Sequence, residues 1–325
     1  MKRREFVKIA GAATFAPLAP TVLRADTLET LALFGPPAGP SITLAHAVAQ
    51  NMFTGIAPNA TFEAWRNPDE LRAGLTSGRM QLSLVPVQAA ANLYSRGFPI
   101  RLANIMTEGL LYIITKDPEI NTVASLEGRN IAVAFAGDTP DIILDQLLAH
   151  AGLDPQADLT KQPAATPVEA MQLLLAGRAD AALVGEPAAS AAVLRGKQEG
   201  LEVLRGIDIQ QAWGDMTGAD PVLPQAGLAV TQSFLDDHGT IMPALLGILQ
   251  QATAAVLADP AAAALDATGA LGQPPPLIQS SIEHAKLVAT PASDMRSQIE
   301  SMLTAMGGDG LERIGGALPD DAFYL

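Results

Sequence analysis

Short apolar runs alternate with helical patterns along the chain, and the same succession occurs twice. Residues 31–50 and 131–150 each contain an apolar run, a Gly/Pro turn, a proline and then apolar positions at helical spacing. Downstream, Asn67-Pro68 and Thr166-Pro167 each open a further helical stretch, and each stretch ends in a Gly-Arg pair. Landmarks that keep the same spacing indicate an internal repeat. We therefore predict two copies of one α/β unit that face each other across a binding cleft.

The pattern also predicts the individual elements. In the first unit, strands are predicted at 28–34, 60–65 and 81–85, with helices at 40–54, 68–77 and 88–94. Two extended runs then lead to the second unit, at 101–107 and 111–115. The second unit is predicted from Asn130 to Leu204. Beyond it, we predict a return strand at 221–231 and two helical segments that pack on the first lobe, at 232–271 and 276–306.

The chain must pass between the two units twice, near residues 107–115 and 221–231. Extended segments of this kind usually connect lobes. We therefore predict a first lobe made of residues 26–108 and 225–325, and a second lobe made of residues 109–224. The two crossovers are expected to act as a hinge.

Composition narrows the function. The 325 residues carry 20 Lys and Arg against 34 Asp and Glu, a net charge of −14, which argues against nucleic acid as a partner. Cysteine is absent, which excludes disulfides, thiolate metal sites and a cysteine nucleophile. The four histidines are scattered singly, so we expect no metal site and no cofactor.

The first 25 residues have the pattern of an export signal. Basic residues at the start, including Arg3 and Arg4, precede a weakly apolar stretch, and Ala25 provides a cleavage site. The arginine pair with Phe6 and Lys8 resembles a twin-arginine signal, and an ordinary Sec signal is the alternative. We expect a periplasmic protein with no membrane insertion after cleavage.

Ligands of open α/β sheets bind beyond the carboxyl ends of the strands. The repeat nominates three pairs of loops there, namely 35–41 with 136–140, 65–67 with 164–166, and 86–88 with 185–187. The predicted ligand-binding residues in these loops are Pro37, Gly39, Ser41, Trp65, Arg66, Pro86, Gln88, Gly137, Asp138, Thr139 and Glu186.

Several of these residues allow a second interpretation. Asp138 or Thr139 is equally suited to cap the helix that begins at Pro140, and Trp65 to belong to the core. Arg66 also fits a solvated position at the rim. Glu186 is expected either to accept a hydrogen bond from the ligand or to pair across the hinge. The charge of the ligand stays open, because helix N-termini favour an anion whereas the carboxylates favour a cation.

Six segments together resemble the periplasmic substrate-binding proteins of ABC importers, in the nitrate, sulfonate and taurine family. They are residues 71–83, 123–133, 137–140, 151–155, 176–187 and 233–235. The resemblance implies a type II periplasmic-binding fold with two lobes and two extended hinge crossovers. It also implies a monomer that is not an enzyme and that passes a small molecule to an ABC permease and its ATPase.

Two other functions share this fold class. One is an enzyme that resembles the pyrimidine-precursor synthases of thiamine biosynthesis. The export signal and the absence of cysteine both weigh against it. The other is a periplasmic receptor that presents its ligand to a sensor, which the sequence does not distinguish from an importer component.

Overall fold

The computed structural model describes residues 27–308 and 310–325. The predicted export signal lies outside the described residues. Within them, strands and helices alternate in two successive blocks that are followed by a mainly helical carboxyl-terminal part. The prediction of an α/β fold is confirmed.

The first block alternates three strands with three helices, as predicted. Its elements are β1 (Thr30–Gly35), α1 (Pro40–Ala49), β2 (Asn59–Ala64), α2 (Pro68–Thr76), β3 (Leu82–Pro86) and α3 (Val87–Ser95), and β4 (Ile100–Thr107) follows. The largest difference from prediction is in α1, which ends at Ala49 and not at residue 54. The helix stops because Asn51 takes a left-handed φ of 54° and the Met52 N–H donates back to the carbonyl of Ala47 at 2.9 Å.

The second block repeats this order. Its elements are β5 (Leu111–Thr115), β6 (Asn130–Ala134), α4 (Thr139–His150), β7 (Thr160–Ala164), α5 (Pro167–Leu175), β8 (Ala181–Gly185), α6 (Ala188–Gln198), β9 (Leu204–Asp208) and α7 (Ile209–Thr217). Equivalent helices begin alike in the two blocks. The Asn67 side chain accepts from the Glu70 N–H at 2.9 Å, and Thr166 accepts from the Glu169 N–H at 3.1 Å. Asn67 and Thr166 are therefore the N-caps of α2 and α5.

The carboxyl-terminal part contains two further strands. Its elements are β10 (Ala226–Thr231), α8 (Gln232–His238), α9 (Met242–Ala258), α10 (Pro260–Leu271), α11 (Pro275–Ile282), β11 (Leu287–Pro291) and α12 (Arg296–Gly307). The prediction of one helical segment at 276–306 is wrong, because β11 interrupts it. This strand pairs antiparallel with β4 at the sheet edge. Pro291 is tolerated there because an edge strand has one side without ladder partners.

Two sheets form the frame of the molecule. The six-stranded sheet has the order β11-β4-β10-β3-β1-β2, and the five-stranded sheet has the order β7-β6-β8-β5-β9. The repeated strands are parallel and have equivalent orders, β2-β1-β3 and β7-β6-β8. We call the six-stranded sheet with its helices the first lobe, and the five-stranded sheet with its helices the second lobe.

Two neighbouring segments carry the chain between the sheets. Residues 108–110 connect β4 to β5, and residues 218–225 connect α7 to β10. The Leu223 N–H donates to the carbonyl of Glu108 at 2.9 Å, so the two crossovers are held side by side. The passages fall near the predicted positions, whereas the domain boundaries at 108/109 and 224/225 stay predictions.

Gly109 fits the first crossover for a steric reason. Its φ is 139°, which L side chains rarely adopt, and a Cβ there would lie 1.7 Å from Cγ of Gln210. The Gln210 side chain in turn accepts from the Leu111 N–H at 2.9 Å. The crossover is therefore packed closely against the start of α7.

The carboxyl-terminal helices contact both lobes. Helices α9 and α10 pack on α1, as predicted for the first lobe. Helix α11, however, contacts α6, and α12 contacts α4. The carboxyl-terminal helices therefore pack on the first lobe, as predicted, and α11 and α12 contact the second lobe as well. A hydrogen bond of 2.9 Å from the Tyr112 hydroxyl to the carbonyl of His284 adds to the connection.

One helical stretch among the described residues, Gln232–Ala258, is long and apolar enough to cross a membrane when judged by length and composition alone. Its mean hydropathy reaches 1.6, and 39% of that window is buried. Leu245, Leu249 and Val256 are fully buried in the core. Because a core helix meets the same criteria, this stretch is weak evidence, and the absence of membrane insertion stays a prediction.

Candidate functional site

A cavity of about 940 Å³ lies between the two lobes. Its walls are formed where β1, β2 and β3 of the first lobe and β6, β7 and β8 of the second lobe end. Each of the three predicted loop pairs contributes residues from both of its members. The repeat therefore brings equivalent ends of the two sheets to one shared cavity.

Most of the predicted ligand-binding residues line this cavity. They are Pro37, Trp65, Arg66, Pro86, Gln88, Gly137, Asp138, Thr139 and Glu186. Gly39 and Ser41 are not part of the lining. The binding role of all these residues stays a prediction, and the structure shows where each side chain lies.

Gly39 and Ser41 lie behind the first loop. Ser41 is fully buried, and its hydroxyl donates to the carbonyl of Pro36, so it closes the turn and does not face the cleft as expected. The Gly39 N–H donates to the carbonyl of Glu186 at 3.1 Å, which connects the lobes through backbone atoms. A Cβ on Gly39 would lie 2.6 Å from that of Ala285. Both residues therefore shape the loop.

Trp65 lies both in the core and in the lining of the cavity. It is 3% exposed, and its indole N–H lies 3.3 Å from Oγ of Ser83 and 3.4 Å from the carbonyl of Leu84. Buried indole N–H groups usually find such partners. The two interpretations of Trp65 are thus compatible.

Arginine side chains lie at the rim of the cavity. The Arg66 side chain is 84% exposed and pairs with Glu70 at 3.1 Å, which agrees with the solvated interpretation. Arg72, which the sequence did not single out, pairs with Asp69 at 2.8 Å and reaches Asp138 of the second lobe at 3.7 Å. Burial raises the pKa of Asp138, and the positive charge of Arg72 opposes that change.

The Glu186 carboxylate is occupied within its own lobe. It is fully buried and accepts from Arg205 Nε at 3.0 Å and from Arg205 Nη2 at 2.6 Å. Its second oxygen accepts from the Ser190 N–H at 3.0 Å. Because Arg205 belongs to β9, the expected pairing across the hinge is not what the structure shows. Glu186 lines the cavity, but its carboxylate serves as a structural anchor within the second lobe.

Polar side chains meet across the cleft near α4. Asp138 precedes this helix, but its side chain makes no cap hydrogen bond. Thr139 lies 3.4 Å from Oε1 of Gln88 in the first lobe. The Gln88 amide donates to the carbonyl of Arg313, which also accepts from Asn92 at 3.0 Å. Gln88 therefore joins the second lobe to the carboxyl-terminal segment.

Gln225 and Phe135 are among the lining residues that the sequence analysis missed. Gln225 is 6% exposed, and its Oε1 has no hydrogen-bond partner. Its position as an isolated amide in the mainly apolar run at 221–231 was a usable signal. Phe135 follows β6 with a φ of 56°, a conformation that is uncommon outside glycine and is enriched at functional sites. No sequence pattern indicates it.

One face of α4 places acidic side chains on the cavity. Asp138, Asp141 and Asp145 all line it, at helical spacing that the sequence could have shown. Lys161 lies 2.7 Å from both Asp141 and Asp145. Burial lowers the pKa of Lys161, but the hydrogen bonds to the two carboxylates outweigh that effect and raise it overall. The lysine is therefore charged at neutral pH.

The rest of the wall is largely apolar. It includes Leu71, Leu75, Val85, Leu93, Leu110, Leu111, Ile142, Val168, Leu183 and Leu271. Within residues 27–308 and 310–325, no group of three or more His, Cys, Asp or Glu side chains is placed to hold a metal ion. The chemistry that this lining provides is burial of apolar surface with a few hydrogen bonds.

We expect Lys161→Met to lower the free energy of unfolding by about 1–3 kcal/mol at neutral pH. The variant leaves Asp141 and Asp145, whose side chains are 12% and 20% exposed, close together without their shared cation. Since protonation of one carboxyl relieves the repulsion, the loss should shrink as the pH falls to about 4. In the wild type, Lys161 stabilises the folded state through neutral pH. Because its pKa is raised, this stabilisation is lost only at the alkaline pH where the lysine deprotonates.

Urea unfolding at both pH values measures this difference. Lys197→Met is the matched control, because Lys197 is exposed and should tolerate the change with little effect. An equal loss for Lys161→Met at both pH values would show that the two carboxylates do not repel each other in the variant.

The model of the NMT1-like family matches residues 68–270, which is more than half of the chain. The chain belongs to the NMT1-like family. The match begins at α2 and ends within α10, so it includes most of the cavity wall. No curated protein matches the chain.

Solved structures share the fold of this NMT1-like protein. An ABC transporter from Parabacteroides distasonis is 23% identical, with 92% of this chain and 98% of that chain covered and a TM-score of 0.72. The periplasmic aliphatic sulphonate binding protein SsuA from Escherichia coli is 18% identical, with 85% and 92% covered and a TM-score of 0.67. The periplasmic nitrate-binding protein NrtA from Synechocystis PCC 6803 is 16% identical, with 79% and 71% covered and a TM-score of 0.61.

At these sequence identities, the similarity to the solved structures shows a shared fold. It confirms the two-lobed periplasmic-binding fold. Together with the family match, it also supports the resemblance to the nitrate, sulfonate and taurine family.

Proposed function

We propose that this NMT1-like protein is the solute-binding component of an ABC import system. It captures a small molecule between its lobes and delivers it to a membrane permease that works with an ATPase. The observation that carries the proposal is the cavity of about 940 Å³, which is lined by equivalent strand ends of both repeated units. A volume of this order is typical of sites for small organic ligands, which are about 300–1,000 Å³.

The crossovers provide a means of closure. Only residues 108–110 and 218–225 carry the described chain from one sheet to the other, and they lie side by side. Arg72 and Asp138 approach each other from opposite lobes, at 3.7 Å, on the side where the loops meet. Hinge closure of two lobes on a ligand needs this arrangement of adjacent connections and facing rims.

The structurally similar proteins reported above support a role as a solute-binding protein. They are an ABC transporter and two periplasmic binding proteins, for a sulphonate and for nitrate. By this proposal the protein is not an enzyme, acts as a monomer and works in the periplasm. A receptor that presents its ligand to a sensor is the competing function, and the experiment below separates the two.

The amino-terminal sequence supports a periplasmic location, because Arg3-Arg4 precedes Phe6 and Lys8. We propose export by the twin-arginine route with cleavage after Ala25. Replacing both arginines with lysine should leave precursor in the cytoplasm, as seen by fractionation and immunoblotting. Normal periplasmic accumulation would favour the Sec route.

The function is tested in two steps with the mature protein, residues 26–325. A thermal-shift screen of sulfonates, carboxylates, pyrimidines, polyamines and oxyanions identifies a ligand, which at a hundredfold excess over its Kd adds about 2.7 kcal/mol of stability. Proteoliposomes containing the permease and ATPase encoded beside it are then mixed with protein and ligand. Ligand-dependent stimulation of ATP hydrolysis is expected. Binding without stimulation would instead favour the receptor.

A further inference from the structure

We propose that residues 284–286 form a third hinge segment, which holds the two lobes together through contacts that break when the lobes separate. These residues lie between α11 and β11, so they belong to the first lobe. They join the second lobe through side chains and not through the chain itself. The inference goes beyond the proposed function, because it concerns how the lobes are held together and not what they bind.

The third hinge segment lies beside the two crossovers, with Glu108 in the middle. The Glu108 N–H donates to the carbonyl of Lys286 at 3.0 Å, and the Glu108 carbonyl accepts from the Leu223 N–H at 2.9 Å. The Thr107 hydroxyl donates to the carbonyl of Ala285 at 2.7 Å. Two successive carbonyls of the segment are therefore bonded where the chain leaves the first lobe.

Two side-chain contacts connect the segment to the second lobe. The hydroxyl of Tyr112 in β5 donates to the carbonyl of His284 at 2.9 Å. The ammonium of Lys286 lies 3.2 Å from Oδ2 of Asp208, at the end of β9. The other oxygen of Asp208 accepts from the Gln210 N–H at 2.9 Å, which fixes the direction of the carboxylate. Both contacts cross from one lobe to the other, so opening at the hinge must break them.

The backbone of the segment is held in an unusual conformation. Lys286 has a φ of 42°, in the left-handed region that residues other than glycine rarely adopt. Such a conformation persists only where the surroundings impose it, and it is enriched in segments that move. Ala285 is fully buried against the first loop of the cavity, where a Cβ on Gly39 would lie 2.6 Å from its own. The segment is therefore fixed by close packing as well as by hydrogen bonds.

Helix α11 connects the third hinge segment to the cavity. Leu271, Gly272 and Gln273 line the cavity just before this helix begins, and the segment follows soon after the helix ends at Ile282. The helix packs on α10 of the first lobe and on α6 of the second lobe. A molecule that contacts residues 271–273 therefore touches one end of an element whose other end holds the hinge.

The Gly39 N–H reports separation of the lobes. It donates to the carbonyl of Glu186 in the second lobe at 3.1 Å, so this bond breaks whenever the lobes separate. Its rate of hydrogen exchange therefore measures the population of the open state, even where that population is small. The N–H groups of Ser41 and Ile42 donate to carbonyls within their own loop and serve as internal controls.

The double variant Tyr112→Phe with Lys286→Met tests the proposal in the mature protein without ligand. It removes the hydroxyl donor and the cation and keeps the apolar part of both side chains. We expect the Gly39 N–H to exchange about tenfold faster, because the closed arrangement loses one hydrogen bond and one partly exposed ion pair. Ser41 and Ile42 should exchange at wild-type rates. Hydrogen–deuterium exchange followed by NMR measures these amides one by one.

Tyr94→Phe with Lys116→Met is the matched control, because it removes the same two kinds of contact within a lobe. The Tyr94 hydroxyl donates to Asp320 in the first lobe, and the Lys116 ammonium donates to the carbonyl of Leu175 in the second lobe at 3.4 Å. This variant should leave the exchange of the Gly39 N–H unchanged.

Three results would overturn the inference. One is wild-type exchange of the Gly39 N–H in Tyr112→Phe with Lys286→Met, and another is equal acceleration in the control variant. The third is equal acceleration of Ser41, Ile42 and Gly39, which would show that the loop loosens while the lobes stay together. The measurement uses no ligand, so its outcome is separate from the ligand screen and the ATPase assay that test the proposed function.

Discussion

Trp65→Ala is expected to lower the free energy of unfolding by about 3–5 kcal/mol, the range found for loss of buried aromatic side chains. Trp65 is 3% exposed and packs in the large core cluster that contains side chains of both sheets. The substitution removes that ring and leaves the hydroxyl of Ser83 without its indole partner. Urea unfolding followed by circular dichroism measures the change.

The matched control is Trp213→Ala. Trp213 is also 3% exposed, but it belongs to α7 and is not part of the cavity lining. Both variants should lose comparable stability, whereas only Trp65→Ala should also reduce the rise in melting temperature that a ligand found in the thermal-shift screen produces. A loss of less than about 1 kcal/mol in Trp65→Ala would show that the ring is a surface wall and not part of the core.

Arg205→Met should lower the free energy of unfolding by about 3–5 kcal/mol, because it leaves a buried carboxylate without its cation. The Glu186 side chain is fully buried, and Arg205 provides two of its hydrogen bonds, at 2.6 and 3.0 Å. After the substitution, Ser190 still donates through its N–H, which does not neutralise the charge. Methionine keeps a similar apolar length over the ring of Tyr112, which the guanidinium covers at 5.5 Å.

The double variant Glu186→Gln with Arg205→Met is the control. It removes both charges, so it should recover much of the stability that the single variant loses. The deficit of Arg205→Met should also narrow as the pH falls, since an isolated buried carboxyl takes up a proton more easily. If the double variant were less stable than Arg205→Met, the ion pair would not be the reason for the loss.

Much of the fold followed from local signals. Pro40, Pro68 and Pro167 lie in first helical turns, and Asn67 and Thr166 cap the helices that they precede. These features act within a few residues, so the sequence shows them directly. Strand β11 did not follow, because its partner β4 is about 180 residues away in the chain and supplies the hydrogen bonds that favour a strand.

The candidate site was predictable to the level of loops and not of side chains. Strand ends of a parallel sheet collect at one edge, so the repeat placed the loops correctly around one cavity. The directions of Ser41 and Glu186 depend on Pro36 and Arg205, which spacing alone does not bring together. The missing hydrogen-bond partner of Gln225 Oε1 is visible only once its surroundings are known.

The position of β10 between β3 and β4 determines when the protein can fold during its synthesis. The second lobe separates β10 from both neighbours in the chain, so the middle of the six-stranded sheet stays open until residue 231 has left the ribosome. The Leu325 N–H, at the very end, donates to the carbonyl of Leu102 at 3.0 Å. The five-stranded sheet uses one continuous segment and can form earlier.

This order of assembly bears on passage through the membrane. A translocation route that accepts folded protein must wait until β10 has been synthesised, because the first lobe lacks this central strand until then. A route that threads the unfolded chain would receive the first lobe before β10 is in place. The edges of β3 and β4 would then be exposed, and exposed strand edges favour aggregation. Under the proposed export, the late synthesis of β10 thus links the topology of the sheet to the time at which the protein can cross the membrane.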